Sequence, residues 1–329
     1  MKVYLWLIVP FLLLIISLVW PQKNNQPAEE LAAPVIQSEV PAPHPDGDAL
    51  SISISPPTII QGEPLRITID GPVSMLDIQS LTLDGKPLPI FIDNERITAF
   101  AGIDQHGKPG LYSVVLTLTD GIKIERSIEI GKRVSTTTDF DIPEQLGGNT
   151  PQAEHELTDT LAQDAAILNT ITTTISPKKL WNGPFRLPLD GSPTITDVYG
   201  YSRKTGSVSL SHNGTDFRAA EGTPVYAMNS GQVVFAGMLR NFGYTIIIDH
   251  GLGLMTLYMH LSEIKVVKGD TLEKGGLIAL SGHTGYSLGP HLHLSVRIGG
   301  LSIDPLKFLE LIGPKAVYPI QQKDGIEIP

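Results

Sequence analysis

Gly289-Pro290-His291-Leu292-His293, running on through Leu294-Ser295-Val296-Arg297-Ile298, is the stretch on which the reading of this chain turns. In a strand, residues two apart share a face. His291 and His293 therefore converge on one point while Leu292 is directed into the opposite layer. A second fragment upstream, His212-Asn213-Gly214-Thr215-Asp216, sets an imidazole and a carboxylate four residues apart around a glycine, so extended or turned geometry can bring them together. A third is Tyr258-Met259-His260. Between these fragments lie the short apolar runs Thr223–Tyr226, Gln232–Ala236, Thr245–Asp249, Leu254–Tyr258 and Leu277–Leu280, separated by glycine-bearing turns. Nothing from Phe185 onward reads as a long helix, and the pattern predicts a β domain over residues 185–315.

The three fragments suggest one chemistry. The chain has no cysteine, which excludes disulfides, thiolate nucleophiles and Cys-type zinc fingers, so any metal sits on His, Asp or Glu. His212, Asp216 and one of the paired histidines form a set of two imidazoles and a carboxylate, the three-protein-ligand arrangement of a catalytic zinc with its fourth position open to water. Zinc lowers the pKa of bound water to about 7. The remaining paired histidine and His260 are then suited to general-base and orienting roles. A lone His-x-His more often packs than ligates; it is the coincidence of three fragments in a chain with nine histidines that favours a site.

Outward from this domain the composition changes in steps. Residues 50–132 alternate with period two (Leu65, Ile67, Ile69; then Tyr112, Val114, Leu116, Leu118; then Ile122, Ile124, Ile128, Ile130), with turn signals at Asp84-Gly85, Pro109-Gly110 and Asp120-Gly121. This predicts a small β-sandwich-like module. Its one histidine, His106 beside Gly107, reads as a solvated loop residue. Residues 133–184 read as a polar linker carrying one helix, with Thr150 as cap, Pro151 at the first position and Leu157, Leu161, Leu168 and Ile171 as a stripe docked on a folded domain; His155 lies off that stripe. Residues 21–49 hold Pro21, Pro27, Pro34, Pro41, Pro43 and Pro45, cannot bury a core, and read as a tether. Val3 to Trp20 is uncharged and almost wholly apolar, and at ~1.5 Å per residue it is close to the span of a bilayer core. It ends Leu18-Val19-Trp20-Pro21 with no small-residue cleavage triplet, so residues 1–20 are expected to be an uncleaved transmembrane anchor rather than a cleaved signal segment. Either way the rest of the chain lies outside the cytoplasm. Residues 316–329 are a C-terminal tail. The net charge of −10 makes nucleic acid a poor partner.

On these motifs, residues 185–310 resemble the catalytic domain of the lysostaphin-like, or LytM-type, zinc endopeptidases, which cut peptide cross-links in bacterial peptidoglycan. The resemblance runs through His212-Asn213-Gly214-Thr215-Asp216-Phe217, Gly222-Thr223-Pro224-Val225, Gly231-Gln232-Val233-Val234, Asp249-His250-Gly251, Leu257-Tyr258-Met259-His260-Leu261, Thr284 to His293, and Asp304-Pro305. It implies a mainly β chain ending in an antiparallel β-sheet metallopeptidase domain. It also implies one zinc held by His212, Asp216 and His293, catalytic roles for His260 and His291, and peptidoglycan stem peptides as substrate. Together with the anchor, the β module, the helical linker and Leu180-Trp181-Asn182-Gly183-Pro184-Phe185, it is similar to envelope-bound members from Gram-negative bacteria. This implies single-pass attachment to the inner membrane with the catalytic domain in the periplasm, or secretion to the periplasm if the anchor is removed. The same fold also serves as a non-catalytic regulator that activates other wall hydrolases, but such a regulator is expected to have lost one of the five site residues.

The family's glycine-phenylalanine-glycine and arginine-rich lead-in reads here Asp197-Val198-Tyr199-Gly200-Tyr201-Ser202-Arg203-Lys204, a departure at the rim of the groove. Arg203 and Lys204 read as solvated. His250 reads as structural and His283 as a solvated loop residue. Tyr258, two before His260, is placed to share its face.

Overall fold

The computed structural model describes residues 49–139, 141–142, 147–205, 208–313 and 319. The expected anchor, the tether up to residue 48 and all of the tail but Pro319 lie outside them. Among the described residues no helix is long and apolar enough to cross a membrane.

The alternation over residues 50–132 folds as two facing sheets. Ser51–Ser55, Pro64–Asp70, Arg96–Gly102 and Phe91–Asp93 form one; Ile59–Ile60, Lys123–Gly131, Gly110–Leu118, Ile78–Leu83 and Lys86–Pro87 form the other. Leu65, Ile67 and Ile69 from the first sheet share one core with Leu81, Val114, Leu116 and Ile130 from the second. Intervening residues such as Thr117 and Glu129 face outward, as the two-residue side-chain period requires. Asp84 and Gly85 both take positive φ, +49° and +75°, and close the hairpin between Ile78–Leu83 and Lys86–Pro87.

The C-terminal part is a ten-stranded sheet whose pairings are all antiparallel. Its spine runs Ile195–Asp197, Thr215–Arg218, His291–Ile298, Leu254–Ile264, Gly243–Gly251, Gly231–Leu239 and Thr271–Leu272. Leu292, Leu294, Val296 and Phe217 turn to one face and pack with Phe185 and Phe308 in the main core. The pattern of this part predicts no long helix. The structure adds a short one, Pro305–Ile312, capped by the Asp304 carboxylate, which accepts from the Leu306 and Lys307 amides. Its eight residues are too few for a periodic signal, and it forms because Phe308 and Leu309 are buried against the sheet.

The other helix, Pro151–Thr172, begins at Thr150, whose hydroxyl accepts from the Ala153 amide at 3.2 Å. It docks on the other face of the large sheet, where Leu168 packs with Leu239, Ile247, Met255, Leu257 and Met259. Asp164, mid-helix and buried, accepts from the Asn241 backbone N–H at 2.7 Å and from its side-chain amide at 2.9 Å. The segment read as linker also supplies a strand: Thr137–Asp139 pairs in parallel with Ser202–Thr205, which pairs in turn with Val208–Ser211.

The module is fixed to the large sheet by aromatic packing and one buried ionic knot. Phe91 and Phe100 stack around Trp181, ring centroids 5.1 and 6.0 Å away. Arg133 reaches Asp304 at 3.4 Å and Glu63 at 3.8 Å. Gly62, at φ +83°, lies flat on Tyr199; a Cβ there would sit 2.6 Å from the ring, so the close approach depends on glycine. Gln61 donates to the Gly107 carbonyl and so holds the His106 loop toward the large sheet.

Candidate metal centre and groove

Strand register assembles the site. Thr215–Arg218 lies antiparallel to His291–Ile298 with Asp216 opposite His293 and Arg218 opposite His291; on the other side Met259 lies opposite His293. Asp216 and His293 are thus placed side by side by the sheet, and His212 reaches them from the turn before Thr215. Gly214 makes that turn possible, since a side chain there would collide with the His293 ring and the Leu294 carbonyl.

His212, Asp216 and His293 offer one ligand atom each, all within 4.8 Å of one another, and all three residues are buried. His212 Nε2 is 3.1 Å from Asp216 Oδ1 and 3.1 Å from His293 Nδ1, and His293 Nδ1 is 2.8 Å from Asp216 Oδ1. His212 Nδ1 faces the Val198 carbonyl at 2.8 Å, and because a carbonyl can only accept, that nitrogen carries a proton and Nε2 is the atom turned toward Asp216 and His293 as a potential ligand. Tetrahedral ligands at ~2.0–2.1 Å from a zinc lie about 3.3 Å apart, so edges of 2.8–3.1 Å make a slightly contracted face of such a site. The donor set and its spacing fit a zinc ion.

Electrostatics agree. Burial alone would raise the Asp216 carboxyl, but the charge and hydrogen bonds of His212 and His293 outweigh it and hold the group well below the usual carboxylate range. Burial lowers His293 to about 4, against the partial offset of its bond to Asp216. Both groups are therefore in ligand form at neutral pH.

His260 and His291 stand beside this cluster. Their ring centroids are 4.8 Å apart, and His291 Nε2 is 3.7 Å from Asp216 Oδ1. Each ring is fixed through Nδ1: His260 donates to the Thr284 carbonyl at 2.8 Å and His291 to the Gly289 carbonyl at 2.8 Å, which leaves Nε2 as the free ring nitrogen of each. Burial, followed by the charges of His291 and His293, lowers His260 to about 3, so it is neutral at neutral pH. His260 has φ +59° and sits where the pairing with Gly243–Gly251 slips by a residue. This bulge corrects one expectation. It breaks the two-residue period, so Tyr258 does not share the face of His260 but is buried in the opposite core, its hydroxyl 3.0 Å from Thr256 Oγ1 and accepting from the Met228 amide.

A second correction concerns Arg203. It is not solvated: Nη2 donates to Asp216 Oδ2 at 2.8 Å and to Asp197 Oδ2 at 2.6 Å. The second oxygen of Asp216 is therefore taken, and only Oδ1 faces the histidines. No spacing signal announces this contact, because Arg203 arrives from the small sheet made with Thr137–Asp139. Lys204 is exposed, His283 pairs with Glu221 at 3.2 Å on the surface, and His155 is solvated beside Asp159. His250 is fully buried between Ser230 O and Thr256 Oγ1, both at 2.8 Å. His106 is not simply a loop residue in water: it lines the same cavity of about 520 Å³ as His212, His260 and His293, walled on the helix side by Leu161, Ala165 and Leu168.

A His-Asp-His cluster with two further histidines, set in an antiparallel sheet beside a groove, is a donor set suited to holding one metal ion. Residues 210–305 match the sequence model of Peptidase family M23, and this part of the chain is an M23 domain of the lysostaphin- and LytM-like kind. Over 131 residues the chain is 39% identical to an uncharacterized metalloprotease of Haemophilus influenzae, covering 39% of this chain and 27% of that protein. Over 99 residues it is 46% identical to the peptidoglycan DD-endopeptidase ShyA of Vibrio cholerae, covering 29% of this chain and 22% of that protein. The chain thus spans about a quarter of the length of these curated relatives. A solved chain from Pseudomonas aeruginosa assigned to peptidase M23 superimposes with a TM-score of 0.57 at 24% identity, over 76% of this chain and 94% of that one, and so shares the fold beyond the M23 domain itself.

Proposed function

We propose that this chain is a zinc-dependent endopeptidase that hydrolyses peptide cross-links of bacterial peptidoglycan, held at the inner membrane by residues 1–20 and acting in the periplasm. The observation that carries the reading is the convergence of five side chains from three separate stretches: His212, Asp216 and His293 within 4.8 Å, and the His260 and His291 rings paired beside them. Membership of the M23 family and the likeness to the DD-endopeptidase ShyA support the reaction and the substrate class.

His212 Nε2, Asp216 Oδ1 and His293 Nδ1 would hold the ion. When bound, zinc supplies Lewis acidity to the scissile carbonyl and makes water acidic enough to attack at neutral pH. The protein's own groups do the rest. His291, with Nδ1 anchored on a carbonyl, would take a proton from the attacking water at Nε2 and return it to the departing amine as the C–N bond breaks, while His260, whose burial disfavours the protonated ring, is held by Thr284 O to orient the reacting groups. The helix Pro151–Thr172 and the strands Ser202–Thr205 and Val208–Ser211 wall the groove and limit water around an extended peptide. A non-catalytic regulator of another hydrolase needs a lost ligand or base, and all five are present and assembled.

The test is elemental analysis of the purified protein followed by mass spectrometry of peptidoglycan digested with it. About one zinc per chain and new free amines at cross-links are expected. A metal-replete protein that leaves purified peptidoglycan uncut would overturn the reading.

A further inference from the structure

Resting on that reading, we propose that Arg297 forms a carboxylate subsite in the groove, selecting peptide substrates that carry a free carboxylate some way from the scissile bond. His291, His293, Ser295 and Arg297 alternate along one strand with Leu292, Leu294, Val296 and Ile298, and the second set is in the core. The first set therefore faces the groove, and His293, Ser295 and Arg297 all line the cavity that contains the proposed zinc ligands.

Arg297 differs from the other guanidiniums packed around this sheet. Arg133 pairs with Glu63 and Asp304, and Arg203 pairs with Asp197 and Asp216. Arg297 is half-buried, its Nε is wholly buried without a hydrogen-bond partner, and it makes no ion pair among the described residues. A guanidinium so placed is incompletely solvated and offers a planar fork matched to a carboxylate. Burial also lowers its pKa from the ordinary value, in the presence of Tyr199, the direction expected of a cation that lacks an anion. Asn213 and the His106 loop complete this end of the cavity.

The spacing names the substrate further. Arg297 is four residues from His293, about 13 Å along the strand at ~3.3 Å per residue. An extended peptide lying along the same direction would bring to Arg297 a carboxylate about three to four residues from the bond being cut.

The test uses synthetic cross-linked stem-peptide dimers that differ only in bearing a free C-terminal carboxylate or its carboxamide. Wild type is expected to cleave the acid with kcat/KM about tenfold above the amide, expressed mainly in KM, because a charge-assisted contact of this kind contributes on that order. Arg297→Gln should bring kcat/KM on the acid down to the level it has on the amide, and Arg297→Lys should restore part of the preference; equal thermal unfolding of the three proteins excludes a folding effect. Equilibrium binding of the same two peptides to zinc-stripped protein supplies a readout that needs no hydrolysis. Preference for the acid in binding without cleavage would retain the subsite and overturn the peptidase reading. Cleavage and binding without preference in the wild type, or equal losses on acid and amide in Arg297→Gln, would overturn the subsite.

Discussion

The two sheets of residues 51–131 and the large sheet of residues 195–303 are built from strands of the same alternating kind, yet they bury different things. In the module the inward residues are Leu, Ile, Val and Ala, and among its described residues the buried polar side chains are Gln61, Glu63 and Thr98. The large sheet buries His212, Asp216, Asn241, Asp249, His250, His260 and His293 as well as its apolar core. A buried polar group is tolerated only when paired, and each of these has named partners: Val198 O for His212, Thr284 O for His260, Asp164 for Asn241. The module is thus held mainly by area removed from water, and the large sheet by an apolar core together with a paired polar network. The candidate site lies in the second, where imidazoles held by carbonyls and walled by protein have fixed orientations, which solvated loop histidines do not.

The largest effect is expected at the cluster itself. Asp216→Ala should empty the metal site and abolish hydrolysis, whereas His291→Ala should keep about one metal per chain and lose ~10²–10⁴ in kcat. Elemental analysis beside a peptidoglycan assay separates the two, and retention of metal by Asp216→Ala would remove it from the ligand set.

The apolar half of the comparison is tested at Leu116, fully buried in the module. Leu116→Ala should lower unfolding free energy by about 2–5 kcal/mol. Measured below its unfolding transition, the variant should keep its metal content and its kcat. A change in kcat would show that the module does more than support the fold.

Acid sharpens the contrast through His250. Burial lowers it to about 4, while in the unfolded chain it titrates near 6.5. Between those values the unfolded state binds the extra proton, so stability is full above pH 6.5 and falls as pH drops toward 4, by about 3 kcal/mol when the drop is complete. Denaturant unfolding at steps from pH 7.5 to 4 should show a shallower slope for His250→Gln than for the parent chain; equal slopes would mean that this imidazole does not contribute.

The smallest effect is expected at Arg203. Arg203→Met frees Asp216 Oδ2 and should weaken metal binding about tenfold, at the lower end of what loss of a ligand's supporting partner produces. Chelator competition measures it, and unchanged affinity would reduce Arg203 to a role in packing the small sheet.

How far the sequence alone reached can be seen at individual residues. Period-two alternation at Leu65 to Ile69 and at His291 to Ile298 assigns strands and faces, because side-chain direction in a strand depends only on parity. The Thr150-Pro151 start of the helix is equally local. The convergence of His212 with Asp216 follows from a four-residue spacing around Gly214. The choice of His293 over His291 as ligand is what the family resemblance implies and not what spacing decides; in the fold His293 Nδ1 lies 2.8 Å from Asp216 Oδ1 and His291 Nε2 3.7 Å from it.

Other features depend on what happens between distant segments. The bulge at His260 reverses the face of Tyr258, and it arises from how Leu254–Ile264 pairs with Gly243–Gly251. Arg203 meets Asp216 only because Thr137–Asp139, more than sixty residues earlier, builds a small sheet with Ser202–Thr205. The His106 loop joins the groove wall through Gln61 and the Gly62–Tyr199 contact. Sequence by itself determined the strand periodicity, the helix start and the set of metal-competent side chains, since these rest on local geometry and residue chemistry. Tertiary structure alone decided which cations were paired and which, like Arg297, were left facing the groove, because pairing depends on distances between side chains that the linear order does not encode.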